Sequence, residues 1–162
     1  MPADASIDIL RNQELRQALM RLIPAAVTRI YATQFSATPI APTTPAPYRT
    51  LVLTMVMAAR RGLDCRIILA PPSPKNPQGA ASQAFARDLA ASGWRIAWAP
   101  FGHLLHSKAW IIDSDISIVG SHNLTAAAMM SNAEQSIIAR SRSFATTMAN
   151  NFALDWAGAT QS

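Results

Sequence analysis

Short apolar segments rich in β-branched and aromatic residues alternate with helix-like segments through most of the chain. Segments of the first kind pair as strands of a sheet, and helices between them cover its faces. Strands are predicted over residues 27–35, 65–70, 94–99, 105–112, 116–119 and 135–139. The alternation predicts an α/β fold with a mixed, mostly parallel central sheet and helices on both faces.

Helices are predicted over residues 7–22, 48–61, 80–91, 125–131 and from about 143 to 156. Ser6 is a candidate N-cap for the first helix, and Gly62 and Gly93 follow the second and third as C-terminal glycines. Two proline-rich segments, 39–47 and 71–79, predict loops that border a cleft. With 162 residues and no internal repeat, we expect a single domain over residues 1–162.

The charge balance favours a polyanionic partner. Fourteen basic residues stand against nine acidic ones, which gives a net charge of +5, and twelve of the fourteen are arginine. The planar fork of arginine matches phosphate oxygens better than the point charge of lysine does. The single cysteine, Cys65, lies in an apolar segment, where a buried thiol is expected. The chain has no long uncharged apolar run, so we expect a cytoplasmic protein without stable membrane association.

The chemistry-bearing residues are concentrated in one region. His106-Ser107-Lys108 precedes Asp113, and Gly120-Ser121-His122-Asn123 follows, with Asn132 and Glu134 further on. Because residues two apart on a strand face the same side, His106 and Lys108 are expected to project together. Ser121 and Asn123 offer hydrogen-bond donors near the end of the hairpin. A Glu134 carboxylate could orient an imidazole for nucleophilic attack.

The spacing His-x-Lys, four residues, Asp, six residues, Gly-Ser-x-Asn resembles the HKD motif of the phospholipase D superfamily. The single motif in a short chain is most like the small bacterial Nuc-type endonucleases. The resemblance implies a phospholipase D-like fold, attack on phosphorus by one histidine, a phosphohistidine intermediate and protonation of the leaving oxygen by a second histidine. It implies no metal and no other cofactor.

Because the superfamily's site combines two motifs and this chain has one, the resemblance implies a C2 homodimer with His106 from both copies in one site. The catalytic candidates are His106, Lys108, Glu134 and Asp113. The position of Asp113 at the start of an Asp-Ser-Asp turn favours a supporting role. Phosphate-binding candidates are Ser121, Asn123, Asn132 and Lys108, although Ser121 and Asn123 could also cap the following helix.

Other residues near the motif have more than one interpretation. His103, His106 and His122 with Glu134 would form a possible zinc ligand set. We expect instead that His103 and His122 are rim residues that contact the nucleic-acid substrate or nothing. Arg140 and Arg142 are candidates for contacts with backbone phosphates.

The sequence thus predicts a metal-independent phosphodiesterase, an endonuclease that cleaves DNA or RNA at a composite homodimeric site. Two alternatives remain open. One is a phosphodiesterase that acts on phospholipid head groups, and the other is a non-catalytic dimer that binds nucleic acid within a larger assembly.

Overall fold

The computed structural model describes residues 5–73, 76, 78–100 and 104–161. The strands are β1 Ser6–Arg11, β2 Arg29–Gln34, β3 Asp64–Leu69, β4 Arg95–Trp98, β5 Lys108–Ile112, β6 Ile116–Gly120, β7 Gln135–Arg140 and β8 Thr160–Gln161. The helices are α1 Glu14–Ala25, α2 Ala46–Arg60, α3 Gly79–Ala90, α4 Ala126–Met130 and α5 Arg142–Gly158.

The strands form one eight-stranded sheet in the order β1-β7-β6-β5-β2-β3-β4-β8. Only the β2–β3 and β3–β4 pairs of this sheet are parallel, and its other neighbours are antiparallel. The predicted mixed sheet with flanking helices is confirmed. The prediction that the sheet is mostly parallel is wrong, because the β5–β6 hairpin and its neighbours β7 and β1 build an antiparallel half.

The N-terminal segment is the main difference from the predicted elements. The sequence predicts one helix over residues 7–22, but Ser6–Arg11 is strand β1, and α1 begins only at Glu14. The alternation of Ile7, Asp8 and Ile9 also fits a strand, and antiparallel pairing with β7 supplies the backbone hydrogen bonds. Asn12, in the turn between the two elements, has a φ of 51°.

Helices lie on both faces of the sheet. Ile30, Ile67 and Trp110 face the first core, which is closed by apolar side chains of α1 to α4. The alternate strand residues Ile68 and Ile111 face the second core, where Phe152 and Trp156 of α5 pack. Since successive strand residues point to opposite faces, these are the two sides of one sheet. Helix α5 covers its face only in part.

The buried residues agree with the expected core in most details. Trp94, Trp110 and Trp156 are buried, as is Cys65, and Trp98 is half-buried. Burial, with the nearby charge of Asp64, raises the pKa of the Cys65 thiol to about 12. The thiol is therefore a packing group and not a nucleophile.

Antiparallel pairing brings the distant parts of the motif to one edge of the sheet. Lys108, at the start of β5, is paired with Gln34 at the end of β2. On the other side of β5, β6 ends at Gly120, which is paired with Ser136 near the start of β7. The residues just before β5, just after β6 and just before β7 therefore meet at this edge.

Candidate active site

His106 and Lys108 lie side by side at this edge, as the sequence predicts. His106 is exposed and lies two residues before the start of β5. Its ring meets the ring of Phe35 edge to face, with the centroids 5.0 Å apart. The Lys108 Nζ lies 5.2 Å from the centroid of the same Phe35 ring and donates a 2.6 Å hydrogen bond to the His106 carbonyl oxygen. Phe35 thus holds the imidazole and the ammonium on one side of the edge.

Lys108 is unusually buried for a lysine, with 8% of its surface exposed. Burial lowers the pKa of Lys108, and the negative charge of Glu134 opposes that change. Among the described residues, no carboxylate oxygen lies within 4.0 Å of the Lys108 ammonium. A desolvated ammonium beside an exposed imidazole is suited to binding an anionic substrate group.

Glu134 is held in the loop before β7 by two of the predicted phosphate-binding residues. The Ser121 hydroxyl donates to Glu134 Oε2, and the Asn132 side-chain amide donates to Oε1 over 3.1 Å. Ser121 Oγ also accepts a 3.1 Å hydrogen bond from the Gln135 backbone N–H. Within one chain the Glu134 carboxylate is therefore bound by Ser121 and Asn132, and its charge acts on Lys108.

Two amide side chains at this edge of the sheet carry buried atoms that have no hydrogen-bond partner among the described residues. These are Oδ1 of Asn123 and both amide atoms of Gln34, a side chain that is fully buried. Buried polar atoms are nearly always paired in folded proteins, so these atoms are available to a ligand or to water. Ser36 Oγ belongs to the same group, because the Ser36 carbonyl accepts a hydrogen bond from the backbone N–H of Leu124, next to Asn123.

Asp113 lies at the other end of β5, roughly 17 Å along the strand from Lys108. Its carboxylate accepts hydrogen bonds from the backbone N–H groups of Val27, Thr28 and Arg29 and from the Thr28 hydroxyl. The expected supporting role is what the geometry shows. Grouping Asp113 with the catalytic residues is therefore wrong, because it is too far from His106 to act on the same phosphate.

His122 is buried, with 1% of its surface exposed, and both ring nitrogens are hydrogen-bonded inside the chain. The prediction that it contacts nucleic acid at the rim is therefore wrong. His103 lies outside the described residues. In the part of the chain that the structure describes, His, Cys, Asp and Glu side chains form no group of three or more that could hold a metal.

Arg140 and Arg142 lie away from this edge. Arg140 ends β7, and the strand begins at Gln135 beside Ser121, so the two ends are separated by roughly 17 Å. Both arginines are exposed. The structure does not bring them together with His106, although an extended polyanion could contact both regions.

A cleft of about 380 Å³ opens beside His106 on the side of α5. The apolar residues that line this cleft are Ile68, Ala99, Pro100, Leu104, Leu105 and Leu154. Asp155 of α5 contributes a carboxylate to the same lining. An apolar part of a substrate can therefore lie next to the imidazole.

Several residues that shape the site are not predicted by the sequence. Phe35 and Gln34 lie in or just after β2, more than 70 positions before the motif, and only the β2–β5 pairing brings them to it. Asn12 is in contact with Glu134 through two backbone-directed hydrogen bonds. A turn asparagine is visible in the sequence, but its partner is not.

Comparisons with known proteins identify the family of this chain. The family described as "Cardiolipin synthase, PLD-like domain" matches residues 19–156. The chain belongs to this PLD-like family. The match places it in the phospholipase D superfamily of phosphodiesterase-type enzymes.

The PLD-like chain is 34% identical over 109 residues to cardiolipin synthase A of Klebsiella pneumoniae subsp. pneumoniae, which is 66% of this chain and 22% of that protein. It therefore spans about a fifth of the length of these curated relatives. Its fold is similar to the phospholipase D family member Nuc from Salmonella typhimurium, with a TM-score of 0.80, 23% identity and coverage of 98% of this chain and 99% of the other. NucT from Helicobacter pylori has a TM-score of 0.72, 15% identity and coverage of 98% and 100%.

Proposed function

We propose that this PLD-like chain is a metal-independent endonuclease that cleaves DNA or RNA with His106 as nucleophile. The observation that carries the proposal is the exposed His106 ring beside the buried Lys108 ammonium, both against Phe35. An accessible imidazole can reach phosphorus, and a desolvated cation stabilises the negative charge that develops there.

The proposed reaction has two displacements. An imidazole nitrogen of His106 attacks phosphorus, a P–N bond forms and the bond to the leaving oxygen breaks. The His106 of a second copy gives its proton to that oxygen. That second histidine then takes a proton from water, whose oxygen attacks phosphorus and breaks the P–N bond. Lys108 and Asn123 stabilise the phosphoryl oxygens during both steps, while Ser121 holds the Glu134 carboxylate.

An open apolar face supports the assembly of two copies. This face consists of Ile7 and Ile9 of β1, Val119 of β6, Ile137 of β7 and Phe144 of α5. These five side chains are between 39% and 63% exposed. Ile9, Ile137 and Val119 are aligned across three neighbouring strands by the pairing register. A contiguous exposed apolar surface of this kind is typical of an interface.

The open apolar face reaches the candidate site. Val119 and Ser121 are two residues apart, as are Ile137 and Gln135, and Ser121 is hydrogen-bonded to Gln135. A second copy packed on this face would therefore place its own residues close to Ser121 and Glu134. That arrangement would supply the second histidine that the proposed reaction needs.

A nucleic-acid substrate is favoured by charge and by the extent of the structural match. The chain carries a net charge of +5, mostly from arginine. Its similarity in fold to Nuc covers nearly the whole of both chains, whereas the cardiolipin synthase match covers 22% of that protein. The match in fold therefore supports a Nuc-type activity for this chain.

The test is cleavage of supercoiled plasmid, single-stranded DNA and RNA by the purified chain in excess EDTA, with His106→Ala alongside. We expect cleavage by the wild type and loss of at least about a thousandfold in His106→Ala. A control variant with a substitution at an exposed residue away from the site, Asp88→Asn on α3, should cleave like the wild type. Full activity of His106→Ala, or activity that disappears with EDTA, would contradict the proposed mechanism.

A phospholipid head-group phosphodiesterase is the second candidate. The apolar cleft beside His106 and the identity to cardiolipin synthase A both favour it. In the described residues, no helix combines the length and apolar character needed to cross a bilayer. Release of head group from phospholipid vesicles by the wild type, without cleavage of any nucleic acid, would favour this candidate.

The third candidate is a non-catalytic dimer that binds nucleic acid, and it leads to a different expected result. The wild type would then bind DNA without cleaving it, and replacing Arg140 and Arg142 by alanine would weaken binding. Under the endonuclease proposal, the same double variant still cleaves, with a weaker apparent affinity and a smaller dependence on salt.

A further inference from the structure

His122 occupies the variable position between Ser121 and Asn123 of the motif, yet it is more buried than either neighbour. Its Nδ1 lies 2.7 Å from the Ser136 hydroxyl oxygen, and its Nε2 lies 2.7 Å from the Asn12 carbonyl oxygen. A histidine with 1% exposure and two short hydrogen bonds is held in one orientation.

The partners determine which nitrogen of His122 carries the proton in the neutral ring. A carbonyl oxygen can only accept, so Nε2 must donate to Asn12. Nδ1 is then the acceptor of the neutral imidazole and receives the hydrogen bond of the Ser136 hydroxyl. The imidazole thus links the β7 strand to the turn that follows β1.

Gly120 makes room for this link. A Cβ at position 120 would overlap Ser136 Oγ and the Gln135 carbonyl oxygen. The motif glycine therefore allows β7 to lie close enough for the Ser136 hydroxyl to reach His122.

Asn12 connects His122 to the site carboxylate. The Asn12 N–H donates to the Glu134 carbonyl over 2.9 Å, and the Glu134 N–H donates to Asn12 Oδ1 over 3.2 Å. Both backbone polar groups of Glu134 are thus bound by one residue. Asn12 has a φ of 51°, a left-handed conformation that asparagine tolerates better than most residues, and its carbonyl is fixed by His122.

We propose that His122 is a positioning residue, which fixes Asn12 and through it holds the Glu134 carboxylate at the active site. The role rests on the proposed function, because Glu134 has a task only if the site is catalytic. His122 itself touches neither substrate nor the reacting atoms. Its removal would let the Glu134 segment move relative to Lys108 and Ser121.

This role has a consequence for pH dependence that packing alone would not have. Burial lowers the pKa of Lys108, and the Glu134 charge partly restores it. Movement of Glu134 away from Lys108 lowers the pKa of the lysine further, so the ammonium is lost at a lower pH. The alkaline limb of the activity profile should then shift to lower pH.

The first test uses a matched pair at position 12. Asn12→Gly keeps the left-handed backbone and the carbonyl that His122 binds, but it removes the oxygen that accepts from the Glu134 N–H. Asn12→Asp keeps an acceptor oxygen there. We expect kcat to fall between about tenfold and about a hundredfold in Asn12→Gly, with KM nearly unchanged and the alkaline limb shifted, and Asn12→Asp to retain most of the activity.

The second test uses position 122. His122→Phe keeps a ring but removes both hydrogen bonds, whereas His122→Gln keeps a donor close to the position of Nε2. Activity should fall in His122→Phe and recover in part in His122→Gln. Circular dichroism and thermal unfolding show which variants are folded at the assay temperature.

Different results would contradict the positioning role of His122 and the proposed endonuclease function. If the wild type cleaves but folded Asn12→Gly and His122→Phe keep its kcat and pH profile, the positioning role is overturned and the endonuclease proposal stands. If the wild type cleaves no phosphodiester, including bis(p-nitrophenyl) phosphate, the proposed function fails, and the positioning role fails with it.

Discussion

At the scale of single residues, neighbours decide what each motif residue does. His106 and Asp113 belong to the same sequence motif, but one is exposed at the site and the other binds the start of β2 at the far end of β5. Burial alone would raise the pKa of Asp113, but hydrogen bonds from Thr28, Val27 and Arg29 outweigh it and lower the pKa. Asp113 therefore stabilises the fold in its charged form.

Asp113→Asn tests this supporting role. The amide replaces one acceptor oxygen with a donor facing backbone N–H groups, so the free energy of unfolding should fall by about 1–3 kcal/mol. The pKa of Asp113 is lower in the folded chain than in the unfolded chain. The stabilisation that the Asp113 carboxylate gives the wild type is therefore complete at neutral pH and disappears as the pH falls through the folded pKa. Denaturant unfolding at several pH values measures it.

The matched readout for Asp113→Asn is cleavage at a temperature where the variant is folded. We expect kcat close to that of the wild type. A large loss of kcat in the folded variant would return Asp113 to the catalytic group.

At the scale of elements, a polar cluster joins β2, β3, β4 and α5 on the face that α5 covers. Asp64 accepts from the Tyr31 hydroxyl over 2.7 Å, and it forms ion pairs with Arg66 and Arg95. The Arg66 guanidinium also lies over the rings of Tyr31 and Trp156. Charge pairing and ring contacts thus tie the parallel strands to the C-terminal helix.

Asp64→Asn should show how much the charge of Asp64 contributes to the free energy of unfolding. Burial acts to raise the pKa of Asp64, but Arg66, Tyr31 and Arg95 lower it to about 2. The stabilisation from the Asp64 charge is therefore fully present above the ordinary pKa of aspartate, and it is lost as the pH falls towards about 2. Because the ion pairs are partly exposed, we expect less than about 1 kcal/mol at neutral pH.

The measurement for Asp64→Asn is the difference in unfolding free energy from the wild type at pH 7 and near pH 2.5, with Asp88→Asn on α3 as the surface control. The difference should shrink in acid for Asp64→Asn and stay near zero for the control. A difference that is equal at both pH values would contradict a role for the charge.

At the scale of the whole molecule, helix coverage of the sheet is asymmetric. Helices α1 to α4 close one core. Of the described helices only α5 packs on the opposite face, and it leaves the open apolar face uncovered. The open apolar face includes a groove of about 520 Å³ that is lined by Ile7, Ile137 and Phe144. The proposed second copy would cover this face and bury its apolar side chains, which favours association of the two copies.

Ile137→Glu tests the open apolar face. A charge at its centre should convert the proposed dimer into a folded monomer and reduce cleavage by at least about a hundredfold, because the second His106 is lost. Light scattering after size exclusion gives the mass. Leu53→Glu is the matched control, since Leu53 of α2 is 49% exposed and Ile137 is 51% exposed. A dimeric Ile137→Glu variant, or a monomer that cleaves normally, would contradict this interface.

Much of the fold and the reactive residues could be predicted from local sequence. The β5–β6 hairpin, the helix ends at Gly62 and Gly93, and His106 beside Lys108 all follow from residue type and spacing over a few positions. The family resemblance from the motif was confirmed by a match over residues 19–156. Such features depend on short-range geometry, which the chain carries in any tertiary context.

Other features were decided only by the tertiary structure. Residues 6–11 became a strand because β7 offers them an antiparallel edge, although their apolar spacing also permits a helix. His122 is a buried link because its Nε2 meets a carbonyl 110 positions earlier, and Asn12 binds Glu134 across 122 positions. Hydrogen-bond partners and burial depend on which distant segments become neighbours, and the strand order of the sheet determines that.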